Sequence, residues 1–171
     1  MLTDYHLHLR PDDLDATEER YFTGENVDRY LEAAAAAGIE ELGVSEHVYR
    51  FEAALDVWDH ELWRTYAVGD LDGYCDFVRT TPLRLGIEAD FIPGREDRMA
   101  SLLERHEFDY VVGSVHFVGQ HAVDDDEYDI WERRGDADEI WRRYFETLAE
   151  AARSGIFDIL AHPDLVKVWG P

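Results

Sequence analysis

The chain has 171 residues, 46% hydrophobic and 13% aromatic, enough to bury a core, and residues 1–171 read as one globular domain. Its formal charge of −23 repels a phosphodiester backbone over most of the surface, and no local basic patch offsets that, which argues against a nucleic-acid partner. One cysteine, Cys75, rules out an intrachain disulfide and reads as a small buried hydrophobe; with no leader-like N-terminus and no run of about 18 apolar residues for a membrane, the expected location is the cytoplasm.

In chain order, residues 2–9 (LTDYHLHL) read as a first strand, followed by an acidic loop with Pro11 as breaker. A helix begins at Thr23 or Gly24 and runs to Gly38, whose missing Cβ suits a left-handed cap. Residues 41–47 (ELGVSEH) form a second strand. A long aromatic segment with Trp58, His60 and Trp63 leads to a helix around LDGYCDFVRT. Strand three is 83–91 (LRLGIEADF), and the amphipathic EDRMASLLERH after it is helical. Strand four is 109–117 (DYVVGSVHF). The acidic run VDDDEYD reads as a solvated loop. Residues 137–153 make the longest helix, with Ile140, Trp141, Tyr144, Phe145, Leu148 and Ala152 at helical spacing, and 157–164 (FDILAHPD) is strand five. Apolar strands alternating with helices imply a parallel sheet covered on its outer side, with every C-terminal strand end on one rim.

Five of the eight histidines and one glutamate fall at those strand ends: His6, His8, His47, Glu88, His116 and His162. Imidazole and carboxylate are what divalent transition metals bind, so their convergence on one rim points to a polynuclear metal site. In the HxH pair, residues i and i+2 of a strand face the same side, with Cα atoms roughly 6.5 Å apart, close enough to reach one ion.

DYHLH, SEH, GIEAD, GSVHF and AHPD, in this order, resemble the metal-binding motifs of the PHP (polymerase and histidinol phosphatase) superfamily. The text around them, from YFTGENV through LGVSEHVYRF to FDILAHPDLVKVWG, is most similar to the monofunctional histidinol-phosphatases. The resemblance implies an α/β fold, a PHP-type distorted (β/α)7 barrel of which about five βα units are covered here. It implies three divalent transition metals (Zn, Mn or Fe) and a final DxH motif. The chain stops before that motif, so it reads as an N-terminal fragment, expected to be inactive alone and prone to pair with another chain through open strand edges. By the same resemblance His6 and His8 bind the first metal, Glu88 bridges first and second, His116 and His162 complete the second, and His47 belongs to the third. Family members place another histidine in the loop after HxH; here Asp12, Asp13 or Asp15 would have to stand in. The implied chemistry is attack on phosphorus by a metal-bound hydroxide, with Glu88, His116 and His162 as the catalytic set.

The implied activity is hydrolysis of L-histidinol phosphate, a small phosphate ester. Competing readings are a PHP phosphoesterase acting on nucleotides or oligonucleotide ends, and a non-catalytic PHP module. Arg10, Arg50 and Lys167 are the cations nearest the rim, and Arg50 and Lys167 are the candidate phosphate ligands, against the alternative of surface salt bridges. Asp90, Asp56, Trp58 and Phe117 are candidates to hold the amine and imidazole of the substrate. Asp4 either orients an imidazole or is an ordinary strand-end residue, and Asp164 is a further neighbour of the site. Glu46 should point to the opposite face from His47. His60 either lines the substrate pocket together with Trp58 and Trp63 or packs with them, packing being the commoner role of aromatics at such spacing, and His106 reads as a helix-end residue favoured by the dipole.

Overall fold

The computed structural model describes residues 1–125, 130–131 and 136–168. Five parallel strands form a sheet in the order β1 (Thr3–Asp4), β2 (Glu41–His47), β3 (Arg84–Asp90), β4 (Tyr110–Ser114) and β7 (Ile159–Leu160), curled into a half-barrel. Helices α1 (Glu18–Tyr21), α2 (Gly24–Ala36), α3 (Glu61–Tyr66), α4 (Leu71–Arg79), α5 (Glu96–Leu103) and α6 (Ala137–Ser154) lie between the strands.

The pleat sorts the chemistry. Leu42 and Val44 of β2 and Leu85, Ile87 and Ala89 of β3 face outward, into a core with Val27 and Ala34 of α2, Tyr74 and Val78 of α4 and Met99 and Leu102 of α5. Each such large side chain, fully buried, contributes about 1.5–3 kcal/mol. The alternate positions, Ser45 and His47 on β2 and Glu88 and Asp90 on β3, project to the inner face. Tyr110 also lies on that face, across Gly43 and Gly86; a Cβ at either glycine would overlap its ring. These two glycines therefore let the inner face carry one large ring beneath the functional residues.

Local signals act where the sequence placed them. Thr23 accepts the Asn26 amide (3.2 Å) as N-cap of α2, and Gly38 takes the left-handed conformation (φ 76°) beyond its end. Asp136 caps α6 by accepting the amides of Asp138 and Glu139, and left-handed Gly155 follows it.

Several boundaries differ from expectation. The first strand covers only residues 3 and 4: beyond it the amides bond to side chains, that of His6 to Asp4 and those of Leu9 and Arg10 to Glu46, and one backbone bond to β2 persists, from the Ser45 amide to the Leu7 carbonyl (2.8 Å). Strand five shrinks to residues 159 and 160, since His162 turns into the left-handed region (φ 23°) and Pro163 has no amide to donate. Strand four ends at Ser114. Beyond it, Phe117–Val118 (β5) pairs antiparallel with His121–Ala122 (β6) through a turn at left-handed Gly119. That hairpin had a signal in the sequence, a glycine opening a two-residue turn. The helix expected to run to His106 stops at Leu103, so His106 is not a helix-end residue; burial lowers its basicity and Asp72 lies 3.6 Å away. The aromatic segment folds into two 3-10 turns (Val48–Arg50 and Glu52–Asp56) and α3. Residues 126–129 of the acidic run lie outside the described residues.

Candidate metal centre

Glu88 has no exposed surface, and its two oxygens lie among five imidazoles. On the Oε2 side are His6 Nε2 (3.1 Å), His8 Nε2 (3.3 Å) and His47 Nδ1 (2.9 Å). On the Oε1 side are His116 Nε2 (3.4 Å) and His162 Nε2 (3.0 Å). All six residues singled out in the sequence thus meet at one point. The ladder accounts for the central pair, since His47 and Glu88 are register partners on β2 and β3. The other imidazoles come from the segments that leave β1, β4 and β7.

Within this cluster, two sets of donor atoms lie within 4.8 Å of one another: His6, Glu88 and His162, and His8, His47 and Glu88. These sets divide His6 from His8, although both imidazoles also lie on the Oε2 side of Glu88. With β1 ending at Asp4, positions 6 and 8 no longer project in parallel, and their rings stand 82° apart. His8 instead stacks on His47, ring centres 4.1 Å apart. Glu88 belongs to both sets, as a bridging carboxylate must.

A buried ionic group holds the loop that carries His6 and His8. Glu46, on the opposite face from His47 as expected, accepts the amides of Leu9 (2.6 Å) and Arg10 (3.1 Å) through one oxygen. Its other oxygen accepts Arg50 Nη1, which also donates to the Arg10 carbonyl (2.5 Å), while Arg50 Nη2 donates to Asp12. Arg50, only 1% exposed, is therefore committed to the loop and not open toward a phosphate. Lys167 stands exposed beyond His162, paired with Asp164. Asp4 bonds its own loop through the His6 amide and not an imidazole. Of the loop carboxylates, Asp12 is the one beside the centre, 3.9 Å from His47 Nε2.

His116 is fixed from behind. Its Nδ1 lies 2.7 Å from Asp90 Oδ1, so Nδ1–H donates to that carboxylate and Nε2 is left facing Glu88, the arrangement that orients a ligating imidazole. Burial opposes charge on His116, but Asp90 and Asp124 override it and raise the imidazole to about 10. The same negative surroundings favour a metal cation in place of the proton. Burial pushes His47 down to about 3, leaving it neutral, the form that ligates. For Glu88, burial alone would favour the acid, yet the neighbouring imidazoles, His47 first, hold it well below the usual carboxylate range. Buried nitrogens His8 Nδ1 and His162 Nδ1 and buried Asp90 Oδ2 have no hydrogen-bond partner among the described residues. A buried anion ringed by imidazoles and bordered by such unpartnered atoms fits divalent transition metals.

A cavity of about 200 Å³ with Tyr49, Tyr66 and Phe117 in its walls reaches His116. Phe117 was anticipated as a substrate contact. Trp58 and His60 were not wall residues but packing, stacked at 4.1 Å with Trp58 edge-on to Trp63 and Phe117, and Asp56 lies elsewhere, bonded through its carbonyl to Arg98. Sequence reasoning missed Tyr49, Tyr66 and Asp124. Asp124 reaches the cavity because Val123 N donates to the His116 carbonyl (2.9 Å), folding the chain back after the hairpin.

Comparison with known proteins agrees with this geometry. Residues 21–170 match the family model for the PHP domain. A probable histidinol-phosphatase of Deinococcus radiodurans is 33% identical over 149 residues, which are 82% of this chain and 55% of that protein. The crystal structure of histidinol phosphate phosphatase from Lactococcus lactis, complexed with zinc, L-histidinol and phosphate, superposes with a TM-score of 0.68 at 18% identity. That match covers 96% of this chain and 58% of the other. The chain thus spans just over half the length of these relatives. On the family match over most of its residues, joined to the half-barrel and its histidine-ringed glutamate, the chain belongs to the PHP domain family.

Proposed function

We propose that the protein is a metal-dependent phosphomonoesterase that hydrolyses L-histidinol phosphate to L-histidinol and phosphate in the cytoplasm. The observation that carries this reading is Glu88, buried and presenting each oxygen to its own set of imidazoles. The similarity to a probable histidinol-phosphatase supports the choice of substrate. His6, His8, His47, Glu88, His116 and His162 would hold the divalent metals, three in the complete site, of zinc, manganese or iron. When bound, such ions acidify water and neutralise phosphoryl charge.

The chain's own residues prepare the site in three ways. Glu88 would supply the negative charge that offsets the repulsion between neighbouring cations held by the imidazoles on its two sides. Asp90 keeps the proton of His116 on Nδ1, so Nε2 stays available at the centre. Glu46 and Arg50 pin the loop that presents His6 and His8. In this reading Arg50 is a positioning residue, and Lys167 remains the candidate to meet the phosphate. Asp12 stands where a further ligand beside His47 is needed.

Phosphate release from L-histidinol phosphate, nucleoside monophosphates and short oligonucleotides, measured with each metal, tests the reading. L-histidinol phosphate should be the best substrate. A kcat/KM favouring nucleotides by about tenfold, or about 1.4 kcal/mol of transition-state binding, would hand the site to the nucleotide alternative.

A further inference from the structure

His60 is buried outside the metal centre, yet its ring does more than pack. Nδ1 accepts the Leu62 amide (3.3 Å) and so caps the N-terminus of α3. The imidazole also bonds the backbone of Gln120. A neutral imidazole has one acceptor and one donor nitrogen, so with Nδ1 accepting, the proton sits on Nε2 and the Gln120 carbonyl receives it. Burial is the largest influence on His60 and holds it below its ordinary value, in the neutral form that can make both bonds. Gln120 forms with Gly119 the two-residue turn between β5 and β6, and backbone groups inside such a turn have no ladder partner. His60 thus satisfies a group that the hairpin cannot satisfy itself. The ring is fixed in its turn, stacked on Trp58 at 4.1 Å and edge-on to Phe117 at 5.2 Å.

The hairpin needs such an anchor. Its strands are two residues each, too short for their own ladder to hold them, and their side chains divide between two core clusters, Phe117 and Ala122 in one and Val118 in the other. The hairpin also follows directly on the ligand His116. After it the Val123 amide returns to the His116 carbonyl (2.9 Å), which brings Asp124 to the cavity where Phe117 already stands. We infer that His60 is a positioning residue for the centre, a latch that ties the tip of the hairpin Phe117–Ala122 to the start of α3 and so holds Phe117 and Asp124 in place. His116 itself is fixed separately, by Asp90. Opening the latch should therefore leave the metal bound and weaken the hold on substrate. That kinetic consequence rests on the phosphomonoesterase reading, whereas the latch is a structural property that can be measured without turnover.

Two variants of the manganese-loaded protein separate the two bonds. In His60→Asn the side-chain oxygen can still cap α3 by accepting the Leu62 amide, but its shorter arm cannot also reach Gln120. His60→Phe keeps a ring against Trp58 and Phe117 and loses both bonds. Amide hydrogen exchange over residues 117–123 should quicken by about tenfold or more in both variants, while exchange in α3 should quicken only in His60→Phe. In His60→Asn the KM for L-histidinol phosphate should rise by about tenfold, with kcat within about threefold of wild type and metal content unchanged. Wild-type exchange in the hairpin of His60→Asn would reduce His60 to a helix cap and overturn the inference. Faster exchange with an unchanged KM would overturn it as well, and so would loss of a metal ion, because the imidazole would then be supporting a ligand and not the hairpin. If the wild-type protein hydrolyses no ester, the phosphatase reading fails, while the latch stands or falls by the exchange result.

Discussion

Glu88 and His47 sit mid-sheet on β3 and β2, where they are register partners with side-chain exposures of 0% and 10%. His6, His8 and His162 follow the edge strands β1 and β7, each two residues long, and remain 35%, 24% and 26% exposed. Ligand chemistry is the same in both regions, but its means of support is not. In the centre, ladder hydrogen bonds and a packed outer face position the side chains, with the buried Tyr74 hydroxyl bonding the Val44 and Gly86 carbonyls from that face. At the edges the ladder thins to single backbone bonds, Ser45 N to the Leu7 carbonyl and Ala161 N to the Gly113 carbonyl, and polar contacts from elsewhere add the rest: Glu46 and Arg50 for the first two histidines, the Tyr144 hydroxyl for the backbone of His162. Damage to the centre should therefore remove chemistry, whereas damage to the edges should loosen it.

The largest effect is expected at Glu88. In Glu88→Gln an amide replaces the charge between two sets of imidazoles, and its NH2 can only donate where donors already crowd. Phosphatase activity should fall by about 10³-fold or more, and elemental analysis should show at least one metal ion lost. Full metal content with normal turnover would contradict the bridging role and remove the reason to distinguish the centre from the edges.

Next comes the ionic support of the edge. Arg50→Met strands the Glu46 carboxylate, which is fully buried, without its cation. Breaking a buried pair from one side costs about 3–5 kcal/mol, so the midpoint of urea denaturation should drop accordingly. The double variant Glu46→Gln, Arg50→Met should recover part of that loss, because no unpaired charge remains. A loss below about 1 kcal/mol in the single variant would mean that the His6 and His8 loop is held by something other than this pair.

The same division explains what the sequence disclosed. Strand 41–47 and helices 24–36 and 71–79 were legible nearly to the residue, because a short strand-forming run, a Thr or Asp cap and, after the first helix, Gly38 all act locally. The ligands were legible too, since histidine at a strand end is a conspicuous pattern. Edge strands were overextended for a physical reason: LTDYHLHL has strand-like residues, but a buried carboxylate 37 residues away outbids the neighbouring strand for its amides. Arg50 was misread as open to substrate because its partners Glu46 and Asp12 are joined to it only by the fold. Asp124 was hidden in an acidic run, and only the hairpin at Gly119 returns it to the site. Asp90 was noticed but given to the substrate, whereas its bond to His116 Nδ1 makes it a support for the metal centre.

Asp90→Asn probes the boundary between the two regions, since Asp90 ends a central strand yet supports a ligand that has left the ladder. The amide can accept from Nδ1–H only in one orientation and no longer supplies charge. Metal affinity or activity should fall by about 10–100-fold, the usual cost of losing a carboxylate behind a ligating imidazole. Glu88→Gln should remain the more damaging of the two. Equal losses would place His116 with the central ligands.

The smallest expected effect is at the opposite edge. Tyr144, buried on α6, donates its hydroxyl to the His162 carbonyl at 3.2 Å. His162 needs that anchor more than an ordinary residue does, because its φ of 23° places a non-glycine backbone in a sparsely populated region that costs on the order of 1–3 kcal/mol. Removing the hydroxyl in Tyr144→Phe leaves the ring packing and deletes one hydrogen bond, worth about 0.5–1.5 kcal/mol. Thermal unfolding should shift down modestly. Metal affinity should weaken by less than about tenfold, because the carbonyl is held and the imidazole is only indirectly affected. Wild-type stability together with wild-type metal affinity would show that the turn at Pro163 alone fixes His162, and that the β7 edge does not depend on a borrowed contact as the β1 edge does.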